Sequence, residues 1–208
     1  MTPRVGAAAL ALLALLGVLA RAASLGAQTA GAPAGGAPAI PPGQVRAGTL
    51  SFDGHATVGD FVGTTHAVKG EHSGGARLAD VHGWVEGDVA TLATGNGHRD
   101  RDLRSSMETD RYPTMRFELA RVVPDDPAAV PRAGAELGAM LEGALTLHGV
   151  RKAVAVPARL RFAGDTVRVR SDFPVNLKDY GIGGLTKMLG VLRMNEHIAV
   201  HADLVFAP

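Results

Sequence analysis

Residues 141–162, LEGALTLHGVRKAVAVPARLRF, alternate between apolar and polar positions in two consecutive stretches. The apolar positions of one parity are Leu141, Leu145 and Leu147 in the first stretch, and Val154, Val156, Leu160 and Phe162 in the second. A period of two residues is typical of β-strands with one apolar face. The pattern predicts two adjoining strands with a turn around 149–152. Their apolar face needs a sheet or a closed barrel to cover it.

The same alternation recurs along most of the chain. Strand-like segments lie near 45–54, 57–69, 79–86, 88–94, 114–123, 139–149, 153–163, 166–173 and 196–206. In the last of them Ile198, Val200, Ala202, Leu204 and Phe206 share one parity. Turn signals such as Gly164-Asp165 separate the segments. Eight or nine strands with short connections, and no alternating helices, predict an all-β barrel or sandwich.

Three segments depart from this pattern. Residues 98–113 are highly charged and predict a helical turn before Pro113. Residues 178–194 place apolar side chains at spacings of three and four, which predicts a short helix that is weakened by its glycines. This helix is interpreted either as a flap over one barrel end or as part of an ordered surface loop. Residues 124–138, with three prolines, predict a solvated loop.

The N-terminal residues differ from the rest in composition. Residues 1–27 contain Arg4, an apolar run and then small residues, the pattern of a secretory signal peptide. The apolar run is shorter than a membrane-spanning helix requires. Residues 28–43 are almost entirely Ala, Gly and Pro and predict a flexible linker. We therefore expect a domain over 44–208 in a periplasmic or secreted bacterial protein, without a stable membrane span after cleavage of the leader.

Charge and cysteine content narrow the class of partner. The chain has 21 Lys and Arg against 20 Asp and Glu, and Arg4 and Arg21 belong to the leader. This balance argues against nucleic acid or an anionic membrane surface as the main partner. There is no cysteine, so an exported domain must be stable without disulfides.

No catalytic site is recognisable in the sequence. His197 and His201 are four residues apart on a predicted strand, about 13 Å apart and too far to bind one metal directly. Asp100, Asp102 and Asp110 alternate with arginines, which predicts a local ion-pair and capping network. No nucleophile elbow or dinucleotide fingerprint is present. We therefore expect no catalytic residue, no metal and no cofactor.

The apolar faces themselves suggest a binding function. Each buried methylene of a ligand contributes roughly 0.8 kcal/mol, so an apolar tube alone can bind a long hydrocarbon chain. A barrel of about eight strands has room for one small ligand. The same residues would also line an ordinary filled core, and the pattern leaves both alternatives open.

Several segments, in this order, resemble the YceI family of exported lipid-binding proteins. They are FVGTTHAVKGE (61–71), TLATGNGHRDRDLRSSM (91–107), RYPTMRF (111–117), LEGALTLHGVRKAV (141–154) and SDFPVNLKDYGI (171–182). Together they span about residues 45–206. The resemblance implies a single extended antiparallel lipocalin-like β-barrel of about eight strands with short helical segments. Its lumen would hold a polyisoprenoid, a quinone tail or another long amphiphile.

Site residues follow from the apolar pattern and from the family motifs. The lumen candidates are Phe61, Trp84, Phe117, Leu119, Leu145, Leu147, Val154, Val156, Leu160 and Phe162. The motif positions, which need not touch ligand, are Arg99, Asp100, Leu103, Pro113, Phe117, Leu145, His148 and Gly149. His148 lies opposite Leu145 and Leu147, which suggests that it supports the strand end from outside.

The leading hypothesis is a binder or carrier of a long-chain isoprenoid or other amphiphilic lipid, without catalysis. A metal-assisted hydrolase that uses some of the eight histidines is one alternative. A structural barrel with a filled core is another, and a homodimer is left open.

Overall fold

The computed structural model describes residues 40–57, 59–183, 186–187 and 192–208. The strands in this part of the chain are β1 (Gly43–Ala56), β2 (Gly59–Thr65), β3 (Val68–His72), β4 (Gly83–Asp88), β5 (Thr114–Pro124), β6 (Glu136–Leu147), β7 (Val150–Ala163), β8 (Thr166–Asn176), β9 (Thr186–Lys187), β10 (Leu192–Arg193) and β11 (His197–Ala207). One α-helix is described, α1 (Gly97–Ser106), together with 3-10 turns at Leu78–Asp80, Val89–Thr91 and Leu177–Tyr180.

The main sheet closes into an eight-stranded antiparallel barrel. Its strands follow the order β11, β8, β7, β6, β5, β4, β3 and β1, and β1 pairs back onto β11. Both β2 and β3 pair with β1 in one continuous register, so they form a single strand that is interrupted at residues 66–67. The predicted extended barrel of about eight strands is therefore confirmed.

Three local predictions differ from the structure. Residues 88–94 contain the 3-10 turn Val89–Thr91 instead of a strand, because Val89 turns into the core at 1 % exposure. The turn between β6 and β7 lies at His148–Gly149, not at 149–152, and both residues have positive φ angles. In the described residues of 178–194, the predicted helix is replaced by the 3-10 turn Leu177–Tyr180 and by the antiparallel pair β9 and β10, and residues 184–185 and 188–191 lie outside the described part of the chain.

The N-terminal boundary of the barrel lies slightly earlier than predicted. The signal peptide and residues 28–39 of the linker fall outside the described residues. Ile40, the first described residue, is buried and exchanges backbone hydrogen bonds with Gly75. Residues 40–43 therefore belong to the barrel instead of the linker.

The strands point their apolar parity inward and their charged parity outward. Three buried clusters follow one another along the barrel axis, one around Leu141 and Leu160, one around Leu50 and Leu204, and one around Leu147 and Ile198. The outer face carries ion pairs between neighbouring strands, such as Lys69–Glu86 and Arg121–Glu142. None of the helices in the described ranges has the length and apolar character needed to cross a membrane.

Candidate functional site

The inward faces enclose an apolar cavity of about 220 Å³ that extends through all three buried clusters. At one end of the barrel its wall includes Val122 and Phe162, and at the other Leu147 and Ile198. Inward residues of β11, from Ile198 to Phe206, border it along the strand. Eight residues of strand correspond to about 26 Å. The cavity is therefore a narrow tube along the barrel.

An inward glycine lets two side chains pack closely against the barrel wall. A Cβ atom at Gly87 of β4 would lie only 2.7 Å from Leu50 Cδ1 and 3.0 Å from Met115 Cε. Because Gly87 has no side chain, the Leu50 and Met115 side chains can pack directly against the backbone of β4. Glycine at an inward strand position is consistent with such a close approach.

Few polar groups face the cavity. Ser171 is buried, and its hydroxyl donates a 2.6 Å hydrogen bond to the Pro157 carbonyl. Glu71 and Arg116 also border the cavity, but their charged groups contact Trp84 and Glu86 on the outer face. The middle of the tube therefore offers a ligand dispersion contacts and apolar burial.

Buried side chains cover both ends of the barrel. At the end where β1 begins, Ile40, Leu78 and Val81 are each 6–7 % exposed. At the opposite end the covering residues are Leu92, Met107, Leu177, Tyr180 and Ile182, all buried. Burial raises the pKa of the Tyr180 phenol, and the nearby Asp179 carboxylate adds to the effect.

Most of the predicted lumen residues border the cavity. These are Trp84, Phe117, Leu119, Leu145, Leu147, Val156, Leu160 and Phe162. Phe61 and Val154 do not border it. Phe61 lies on β2 beyond the cavity, where its ring packs against Phe52 with centroids 6.0 Å apart. Val154 is partly buried against the cluster around Leu141.

Trp84 is placed differently from the other seven. It pairs with Glu71 and Glu118 across the neighbouring strands, which puts it on the charged, outward parity of β4. Its indole N–H donates to Glu71 Oε1 at 3.0 Å, and the Arg116 guanidinium lies 4.1 Å from its ring centroid. The side-chain contacts of Trp84 are thus with outer-face charges.

Many wall residues were absent from the predicted lumen set. They are Leu50, Phe52, Met115, Leu141, Val167, Val169, Phe173, Val175, Ile198, Val200, Leu204 and Phe206, among others. The signal that identifies them is parity, because each shares the apolar parity of its strand. Applying the alternation of 196–206 to every strand would have found them.

The charged motif around Arg99 and Asp100 lies in α1, a capped helix at one barrel end. Asn96 caps α1, since its Oδ1 accepts from the backbone N–H groups of His98 and Arg99. Asp100 Oδ1 accepts from both the backbone N–H and the hydroxyl of Thr94, and these hydrogen bonds lower the pKa of Asp100. The main partner of Asp100 is thus Thr94 and not one of the neighbouring arginines.

The other motif residues connect this structure to the barrel. The Arg99 guanidinium lies 4.2 Å from the Phe61 ring centroid, and Leu103 borders the cavity. The Pro113 carbonyl accepts from the Val89 N–H at 2.8 Å. These contacts place Arg99, Leu103 and Pro113 at the edge of the cavity and not along its length.

His148 and Gly149 form the turn between β6 and β7. Their φ angles are +50° and +74°, as in the two-residue turns that suit twisted hairpins. The His148 ring packs on Tyr112 at 4.4 Å, and its Nδ1–H donates to the Tyr180 carbonyl at 3.2 Å. Its Nε2 is buried without a hydrogen-bond partner, and Glu108 Oε1 lies 3.5 Å away. His148 thus joins the turn to the segment after β8, outside the lumen.

The histidines of β11 lie on the outer face. Nδ1 of His201 lies 2.6 Å from Asp172 Oδ1, and Nε2 lies 3.2 Å from Asp53 Oδ2. The hydrogen bond to Asp172, assisted by Asp53, raises the pKa of His201. Within the described ranges no three His, Asp or Glu side chains are grouped so that they could hold a metal ion.

Comparisons with known proteins agree with this architecture. A polyisoprenoid-binding domain from Saccharophagus degradans, implicated in plant cell wall breakdown, superposes with a TM-score of 0.67 at 17 % identity, covering 81 % of this chain and 99 % of that domain. Burkholderia cenocepacia BcnA superposes with a TM-score of 0.63 at 16 % identity, covering 76 % of this chain and 95 % of BcnA. At these identities the likeness shows a shared fold.

The family is established by sequence. A comparison with curated proteins finds no significant match. The family model of the YceI-like domain, however, matches residues 44–206, which is nearly the whole barrel. The chain therefore belongs to the YceI-like family.

Proposed function

We propose that this protein binds a long-chain amphiphile, such as an isoprenoid alcohol or a quinone tail, inside the barrel and performs no chemistry on it. The observation that carries the proposal is the continuous apolar cavity along the barrel axis. Its inward polar side chain at mid-length, Ser171, is already hydrogen-bonded within the protein. A ligand there gains affinity from the length of its apolar chain.

The dimensions of the tube support an extended chain as ligand. The wall along β11 is about 26 Å long at roughly 3.3 Å per residue. Each methylene removed from water contributes about 0.8 kcal/mol before the cost of ordering the chain. A long, thin ligand therefore matches the cavity better than a compact polar metabolite does.

The comparisons and the N-terminal sequence support the remaining parts of the proposal. One structural neighbour is described as a polyisoprenoid-binding domain. The predicted signal peptide at 1–27 supports a periplasmic or secreted carrier in a bacterium. The absence of a recognisable catalytic motif in the sequence supports a binding protein.

A chain-length series tests the proposal. Geraniol, farnesol and geranylgeraniol, followed by longer polyprenols, compete with the fluorescent fatty acid cis-parinaric acid for the purified barrel. Each isoprene unit adds five carbon atoms, and at about 0.3 kcal/mol per atom it should strengthen binding about tenfold until the tube is full. Lipid extraction and mass spectrometry of protein purified from its own host should also yield a co-purifying long-chain lipid.

The series has a clear failing result. Affinity that is independent of chain length, or no saturable displacement of cis-parinaric acid, contradicts a lumenal chain site. Saturated fatty alcohols of matched length serve as controls and separate a general preference for long chains from a preference for isoprenoids.

A further inference from the structure

The wall of the barrel is not hydrogen-bonded along its whole length. Strands β7 and β8 pair only between 158–163 and 166–171. Residues 150–157 of β7 continue along β6, and residues 172–176 of β8 continue along β11, without pairing to each other. We call the gap between residues 153–156 and 172–175 the slit.

Two prolines explain why the pairing ends there. The Pro157 carbonyl faces β8, because it accepts the hydroxyl of Ser171. In an antiparallel strand the N–H and C=O of one residue point to the same side, so the N–H that Pro157 lacks would also have faced β8. The register of the paired residues, extended beyond Ser171, puts Pro174 opposite Ala155, with the backbone of Pro174 facing β7. A donor is therefore missing from each edge of the slit.

The outer surface of β7 changes where the slit begins. Outward residues of the strand are Arg151, Ala153, Ala155, Pro157, Arg159 and Arg161, all exposed. The charged side chains lie beside the slit, and the small apolar ones form its edge. A hydrocarbon chain could cross the β7 edge without removing a charge from water, which would be costly. On the β8 edge the outward residues are Asp172, which contacts His201, and Pro174, so the uncharged crossing lies at Pro174.

The inner side of the slit opens on the cavity. Val156 of β7 and Phe173 and Val175 of β8 all border it. Phe173 is only partly buried and packs against the clusters at both ends of the barrel. The slit thus runs from the middle of the tube, where Ser171 lies, toward the end that contains Leu147 and Ile198.

Each end of the slit is held by a contact. The hydrogen bond from Ser171 to Pro157 closes it on one side. On the other side Lys152 Nζ lies 3.8 Å from Asp179 Oδ1, and His148 donates to the Tyr180 carbonyl. These contacts keep the two strands near each other without a ladder between them, so the gap can widen with little loss of hydrogen bonding.

Building on the proposed function, we propose that this slit is the passage by which the ligand's hydrocarbon chain enters and leaves the barrel. Both barrel ends are covered by buried apolar side chains in the described part of the chain. Opening an end would expose that core, whereas opening the slit breaks no backbone ladder. Side entry also lets a long chain insert without threading lengthwise through the tube.

Cross-linking the slit tests the proposal, and the chain contains no cysteine to interfere. Ala153→Cys/Asn176→Cys places one thiol on each strand beside the slit and leaves both prolines in place, and Ala155→Cys/Asn176→Cys is a second, diagonal pair. The control is Arg161→Cys/Arg168→Cys, whose residues are paired partners in the closed part of the same two strands. Each protein is treated with a short bismaleimide or, as a capping control, with N-ethylmaleimide. Stopped-flow fluorescence then measures uptake and release of cis-parinaric acid.

Cross-linked slit proteins should take up and release cis-parinaric acid at least about tenfold more slowly than their capped forms, with a much smaller change in Kd. The control pair should show equal rates in both forms. Equal rates in cross-linked and capped slit proteins would overturn the slit as the passage and leave the lumenal site standing. Absence of saturable binding in every protein, including the unmodified one, would refute both proposals.

Discussion

Ala202→Phe should block the lumen while leaving the fold intact. Ala202 is an inward residue of β11 that borders the cavity, and it is paired with Leu50 on one side and Ser171 on the other. A phenyl ring at this position points into existing space in the middle of the tube. The same substitution at Ala199, on the outward parity of the same strand, is the matched control.

The size of the effect follows from the atoms that the ring displaces. A phenyl group adds six carbons and excludes about as many ligand atoms from the wall. At about 0.3 kcal/mol for each excluded atom, the loss is about 1.8 kcal/mol, or about a twentyfold increase in Kd. If the displaced atoms were fully buried methylenes, the ceiling would be about 0.8 kcal/mol each. The ring also fills empty volume, so Tm should be unchanged or raised.

Titration with cis-parinaric acid measures Kd, and a thermal melt measures Tm, for Ala202→Phe and for its control. We expect weaker binding with an unchanged or higher Tm for Ala202→Phe, and wild-type values for Ala199→Phe. A Kd within about twofold of wild type, in a variant with an intact melt, would show that the ligand does not occupy the middle of the tube.

Three further predictions concern stability. Asn96→Ala removes the cap of α1 and should cost about 1 kcal/mol in urea unfolding, whereas Asn96→Asp should retain most of it; equal losses would contradict the capping role. Leu204→Ala, at a site 4 % exposed, should cost about 3 kcal/mol in the same assay, and a loss below about 1 kcal/mol would show that the wall collapses around it. Since Asp172 and Asp53 raise the pKa of His201 above 6.5, its protonated form stabilises the fold at pH values below 6.5, and this contribution disappears as pH rises through the raised value. The Tm difference between wild type and His201→Gln should therefore be larger at about pH 5.5 than at about pH 9, and a pH-independent difference would refute the linkage.

Strong alternation made most of the fold predictable. Along β11, the apolar parity from Ile198 to Phe206 is the parity that borders the cavity. Alternation is a weaker guide in β4, where the inward positions include Gly83 and Gly87 and the outward parity carries Trp84 and Glu86. In so short a strand the large apolar residue lies on the outer face, because Arg116 and Glu71 accommodate its ring and its N–H. Hydrophobicity alone therefore does not decide which face of β4 the Trp84 side chain occupies.

The position of a residue along the barrel was a second feature that alternation could not predict. Phe61 pairs with Gly54, near the end of β1 where the hairpin with β2 extends past the cavity. Phe61 shares the buried parity of β2 with Gly63 and Thr65, yet Leu145 borders the tube and Phe61 does not. The difference depends on where each strand crosses the barrel, which is set by strand tilt and stagger.

The sequence by itself determined which face of each strong strand is apolar, the positions of several turns and the family of the chain. These features depend on neighbours within a few residues, where the period of two and the conformational preferences of glycine act directly. Only the tertiary structure decided that the sheet closes, that a tube of about 220 Å³ remains inside it, and that residues 150–157 of β7 do not pair with β8. Whether opposing apolar faces meet or leave space depends on barrel radius, which arises from the pairing of strands far apart in the chain.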